Sequence, residues 1–122
     1  MVEFAATGTK IYFNGKIVPE REATVHVLSG AVKYGATVFE GICAYLGQQN
    51  RLTIFRLPEH LQRLQDSMRI MRFEHDWSDQ YLAKIVSDVL QANDLHEDAH
   101  IRLSAYILNE GFLDATQPVA LG

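Results

Sequence analysis

Cysteine is almost missing from this sequence. The single one, Cys43, has no internal disulfide partner and no companion for a zinc or iron–sulfur cluster, and such scarcity suits a reducing compartment. No apolar run reaches membrane-spanning length, and the first residues carry neither the basic nor the apolar stretch of a secretory leader. Basic clusters are lacking too. Eleven Lys and Arg against 15 Asp and Glu give a net charge of −4, and the dispersed cations leave no footprint for a phosphate ladder. There is no P-loop, no glycine-rich dinucleotide fingerprint, no nucleophile elbow and no internal repeat. These absences leave a soluble, cytoplasmic protein without nucleic acid or membrane as partner.

What is present is ordinary globular material: 48% hydrophobic and 21% charged residues over 122 positions, enough for one domain. Residues 1–9 read as a flexible tail and 10–122 as the folded unit. Ile11 to Val18, centred on Asn14-Gly15, is a hairpin, because Asn-Gly accepts the positive φ angles of a type I′ turn. Thr24 to Leu28 reads as a short extended run, and Ser29-Gly30 as the cap of a brief helix that Gly35 stops. Val38 to Leu46 and Leu52 to Phe55 are strands flanking a turn at 47–50. Pro58 opens a helix carrying Leu61, Leu64, Met68 and Met71, and Ser78 caps a second with Leu82, Ile85, Val86 and Val89 inward. Ile101 to Leu108 is a further strand. The pattern predicts an α+β fold with a mainly antiparallel sheet and two principal helices. Pro118 to Gly122 reads as a buried strand cut before it meets its partners, so a fragment of a longer protein is expected.

Several residues carry possible chemistry. Arg63, one turn into the first long helix, and Arg56 just before it could meet an anion, since a guanidinium fork matches a phosphate and a helix start adds donors. Equally, both could simply solvate a helix face. Tyr34 and Phe39 bracket a glycine-containing turn, as pocket walls or as core. Gly41 sits inside a strand, where glycine commonly marks a close approach by other atoms. His100 and Arg102 share one side of their strand, and an arginine there suits a carboxylate or a surface ion pair. His96-Glu97-Asp98-Ala99-His100 spells the H-E-x-x-H of zinc hydrolases. That chemistry needs both histidines on one helix face, whereas Asn93-Asp94 ends a helix and His100 leads into extended structure.

Two segments together, Tyr34-Gly35-Ala36-Thr37-Val38-Phe39-Glu40-Gly41-Ile42 and Phe55-Arg56-Leu57-Pro58-Glu59-His60-Leu61-Gln62-Arg63-Leu64, resemble the N-terminal domain of fold-type IV, pyridoxal 5′-phosphate (PLP)-dependent aminotransferases, the branched-chain amino acid aminotransferase family. The resemblance runs from about Lys10 to Leu121. It implies the small domain of a two-domain enzyme that moves an amino group between an amino acid and a 2-oxo acid. It implies that Arg63 binds the PLP phosphate, with Arg56 in support. Tyr34, Phe39 and Gly41 would line the substrate pocket, Tyr34 also reaching the neighbouring subunit of a homodimer or higher homo-oligomer. Arg102, with His100 beside it, would meet the substrate carboxylate.

Some positions depart from the family pattern. His100 replaces a tyrosine, Lys33 and Gly30 stand where histidines are usual, and Cys43 stands where an arginine is frequent. These changes keep open a D-amino acid or (R)-amine aminotransferase of the same fold type. The Schiff-base lysine and the glutamate facing the pyridine nitrogen belong to the family's C-terminal domain, beyond residue 122. None of Lys10, Lys16, Lys33 and Lys84 takes the lysine's place, so the 122 residues alone are expected to be inactive. A zinc hydrolase built on His96, Glu97 and His100, and a non-catalytic stand-alone domain, are the readings from other classes.

Overall fold

The computed structural model describes residues 8–112 and 117–122. Strands β1 (Lys10–Phe13) and β2 (Lys16–Pro19) form the expected hairpin. Asn14 and Gly15 take φ of 46° and 105°, the positive values that a tight primed turn demands. Most of the expected tail lies outside the described residues. By Thr9 the chain is already engaged, its carbonyl accepting from the Glu20 amide at 3.0 Å.

Helix α1 (Gly30–Lys33) is a single turn capped by Ser29, whose hydroxyl accepts from the Val32 amide. Gly35 at φ 66° reverses the chain into β3 (Thr37–Leu46), which pairs with β4 (Leu52–Ile54). Helix α2 (Leu57–Ile70) starts at Pro58 as read, and α3 (Asp79–Ala92) starts at Ser78, whose hydroxyl accepts from the Tyr81 amide at 3.1 Å. Strand β5 (Phe73–Glu74) lies between the helices, and β6 (Ala99–Tyr106) follows them. The short strands β7 (Gln117–Pro118) and β8 (Ala120–Leu121) complete the chain. The main sheet runs β4-β3-β6-β8 with every neighbour antiparallel, and β5 pairs with β7 in parallel.

The helices cover one face of this sheet. Leu61, Leu64 and Met68 of α2 recur every three or four residues and are buried against Ile42, Ala44, Leu103 and Ala105. Leu82, Ile85, Val86 and Leu90 of α3 join them. The hairpin docks on α3 through polar contacts. Asn93 receives the Lys10 amide at 2.8 Å and returns a bond to the Lys10 carbonyl at 2.9 Å. The Tyr12 and Tyr81 hydroxyls lie 3.0 Å apart, and burial pushes the Tyr12 phenol up to about 12.

Five expectations differ from the structure. Thr24 to Leu28 forms no strand; it is loop and turn, with Val25, Val27 and Leu28 exposed, because no neighbouring strand takes up its backbone groups. Met71 caps α2 in the open, and on α3 Leu90 is buried more deeply than Val89. The last segment does find a partner: Ala120 and Leu121 pair with Tyr106 and Ala105. Strand β6 begins at Ala99, two residues earlier than read, which places His100 on a strand.

Candidate functional site

Strand geometry separates the residues of β3 and β6 into two populations. Phe39, Gly41 and Cys43 stand opposite Ser104, Arg102 and His100, and successive side chains point to opposite faces. These six therefore share the face turned away from the helices. The guanidinium of Arg102 lies over the Phe39 ring, 3.9 Å from its centroid, and its Nε donates to Ser104 Oγ at 3.3 Å. The imidazole of His100 lies over Gly41, so a Cβ there would meet its Nε2 at 3.0 Å. Glycine at 41 thus leaves room for the His100 imidazole beside it. Phe39 remains 52% exposed, an aromatic ring presented to whatever covers this face. Tyr34 stands apart as the C-cap of α1, exposed, with Lys33 Nζ 5.0 Å from its ring centroid. Lys33 Nζ also donates to the Glu110 carbonyl.

The other face of β3 is core, with one charge in it. Glu40, between Phe39 and Gly41 in the chain, points to the face opposite theirs and is only 4% exposed, on the side that buries Ile42 and Ala44. Its Oε1 accepts from Arg63 Nε and its Oε2 from Arg63 Nη2, both at 2.7 Å, and Oε2 also meets His60 Nδ1 at 2.8 Å. The Arg63 bonds hold the Glu40 carboxyl below its ordinary 4.5, outweighing desolvation. His60 and Arg63 are three apart on α2, hence on one side of the helix, and both converge on this carboxylate. Neither Glu40 nor His60 is among the residues expected from the sequence to carry chemistry. The usable signal was a lone carboxylate on the inward-facing phase of an apolar strand, with an arginine and a histidine at helical spacing downstream.

Arg63 itself is 68% exposed. A guanidinium has five donors, and Glu40 engages two along the side-on edge. The end-on edge, formed by Nη1 and the second hydrogen of Nη2, is a further fork matched to a phosphate or carboxylate. This exposed, rigidly held fork, midway along α2, is free to meet an anionic group. Arg56, the residue before α2, takes φ 53° and ψ 41°, a left-handed conformation that costs a non-glycine residue about 1 kcal/mol, and its guanidinium sits 5.8 Å from the Phe55 ring centroid.

The zinc reading does not survive. His100 is on β6, and His96 Nδ1 and Nε2 face Asn50 Nδ2 at 2.9 Å and Asp94 Oδ1 at 3.3 Å. Among the described residues no group of three His, Cys, Asp or Glu side chains could hold a metal. A largely apolar cavity of about 330 Å³ lies between β1, α3 and β6, lined by residues such as Ile11, Ile85 and Val89 and bordered by Lys10, His100 and Arg102. No described helix is long and apolar enough to cross a membrane.

Residues 37–121 match the family model described as amino-transferase class IV. The chain belongs to this family. A branched-chain-amino-acid aminotransferase of Salmonella typhimurium is 41% identical over 101 residues, covering 83% of this chain and 32% of the relative. Among solved structures, the branched-chain aminotransferase of Thermoproteus uzoniensis with norvaline superposes with a TM-score of 0.86 at 37% identity, over 93% of this chain and 38% of that one. The branched-chain amino acid aminotransferase of Thermobaculum terrenum in its PLP form gives 0.81 at 28% identity, over 96% and 39%. This class IV aminotransferase chain therefore spans about a third of the length of the curated relatives it matches. Its α+β fold is that of the fold-type IV enzymes.

Proposed function

We propose that the protein is a PLP-dependent branched-chain amino acid aminotransferase and that residues 10–122 form its small N-terminal domain. The observation that carries this reading is the pinned Arg63 fork beside the Phe39–Gly41 segment of a class IV aminotransferase chain. Bound PLP would supply the electron sink that lets the α C–H bond of an amino acid break. Arg63 binds its phosphate through the end-on edge. Phe39, with Tyr34 at the rim, gives the apolar wall that a branched side chain prefers, and Gly41 keeps that wall thin. Arg102, steadied by Phe39 and Ser104, presents its remaining donors to a substrate carboxylate, with His100 alongside. The lysine that holds the cofactor and moves the proton comes from a C-terminal domain beyond residue 122. Amino acid and 2-oxo acid take turns in one site, a ping-pong cycle. A cytoplasmic homodimer or higher homo-oligomer, with Tyr34 reaching the neighbouring subunit, completes the reading.

The test compares L-valine, D-alanine and an (R)-aryl amine as donors to 2-oxoglutarate, using the full-length polypeptide its gene encodes. L-valine is expected to react fastest. A preference for D-alanine or the amine would move the protein to the related specificity that His100, in place of a tyrosine, keeps in contention. The 122 residues alone are expected to show no transamination. A slow reaction of that piece would overturn the assignment of the lysine to a further domain.

A further inference from the structure

We infer that Glu40 is the positioning residue of the cofactor-phosphate site: it acts through Arg63 by locking the guanidinium side-on, so that the end-on edge is aimed before any phosphate arrives. The inference rests on the proposed role of Arg63 and adds a residue that carries no expected role.

Three observations carry it. Glu40 is almost fully buried on the core face of β3, so its own position is fixed by strand pairing and by Ile42 and Ala44 around it. Both carboxylate oxygens are spent on Arg63 at 2.7 Å, and the two contacts, Nε and Nη2, define the orientation of the guanidinium plane as one contact could not. Arg63 is otherwise 68% exposed, so an unanchored side chain there would sample many rotamers. His60, on the preceding turn of α2, takes Oε2 as well and stops the carboxylate from rotating.

A carboxylate beside a phosphate-binding arginine also has an electrostatic cost, because it cancels the charge that attracts the anion. The two effects predict opposite signs. If neutralisation dominated, removing the Glu40 charge would tighten phosphate binding. If positioning dominates, removal weakens it. The side-on geometry and the exposure of Arg63 favour positioning, and freeing the rotamers of one arginine sets the scale of the loss at about tenfold.

The experiment measures dissociation constants of the full-length protein for PLP and for pyridoxal, which lacks the phosphate, by equilibrium dialysis with absorbance detection. Variants are Glu40→Gln, Glu40→Asp, Arg63→Gln and the Glu40→Gln/Arg63→Gln pair, each checked for folding by circular dichroism. Glu40→Gln is expected to weaken PLP about tenfold and leave pyridoxal unchanged, and to add nothing in the Arg63→Gln background. Glu40→Asp keeps the buried charge but retracts it by one methylene, so it serves if the glutamine variant does not fold, and the same selective loss is expected of it. If Arg63→Gln lowers the preference for PLP over pyridoxal while neither Glu40 variant does, the positioning role is wrong and Arg63 stands alone. Tighter PLP binding in Glu40→Gln would mean that neutralisation wins, and would also overturn the inference. If Arg63→Gln leaves the preference intact, the phosphate reading of Arg63 itself fails, and the role of Glu40 falls with it.

Discussion

Replacing Gly41 by alanine separates two explanations of why glycine is there. The new Cβ would stand 3.0 Å from His100 Nε2, tight enough that the ring must give by a few tenths of an ångström, and 3.4 Å from Cε1, about van der Waals contact. The obstacle is the far end of an exposed side chain, so the ring can turn away, at an off-rotamer cost of about 0.5–1.5 kcal/mol. Against this, Gly41 has no positive φ, and alanine at a compatible position gains about 0.4–1 kcal/mol by narrowing the unfolded ensemble. The terms nearly cancel, and the net change is expected to stay within about 1 kcal/mol. Urea unfolding of the intact protein, followed by fluorescence of Trp77, measures it. Repeating the change in a His100→Ala background removes the imidazole, and there alanine at 41 should stabilise by the full entropic gain. A loss above about 2 kcal/mol that is the same with and without the imidazole would refute the reasoning, since His100 would then not be what occupies the space.

Two further outcomes follow from the core face. Leu64 is completely buried between α2 and the sheet, so Leu64→Ala is expected to cost about 2–5 kcal/mol by the same urea assay. Glu40 titrates below its ordinary 4.5 in the folded chain, chiefly through Arg63, so the unfolded state binds its proton first. Its contribution is therefore present above about 4.5 and is lost as pH falls through the lower folded value. Unfolding midpoints taken from neutral to acid pH should fall less steeply in Glu40→Gln than in the parent, and parallel curves would show that the carboxylate is not responsible.

What was legible in the sequence was local. Asn14-Gly15, Pro58 and Ser78 each dictate one backbone event within a few residues, and each does so in the structure. Thr24 to Leu28 has strand-forming residues but no neighbour to bond, and propensity cannot supply a partner. The terminal segment erred the other way: its partner is β6, some 15 residues back, and no turn signal joins them. Of the candidate residues, alternation was enough to put His100 and Arg102 on one side of their strand, whereas their meeting with Phe39 and Gly41 depends on the pairing of β3 with β6. The bond from Glu40 to Arg63 spans 23 positions and two element types, so the periodicity of neither element alone announces it, and only the lone inward-facing carboxylate points to it.

Strand β3 has a consequence for how substitutions along it would register in a mutational scan. Positions 40, 42 and 44 face the packed interior, while 39, 41 and 43 face outward beside Arg102 and His100. A scan that scores cellular abundance and growth separately should divide this single strand with a period of two. The even positions would lower both scores together. The odd ones would depress growth while the protein persists, so six consecutive codons would write the inside and outside of the molecule in alternate letters.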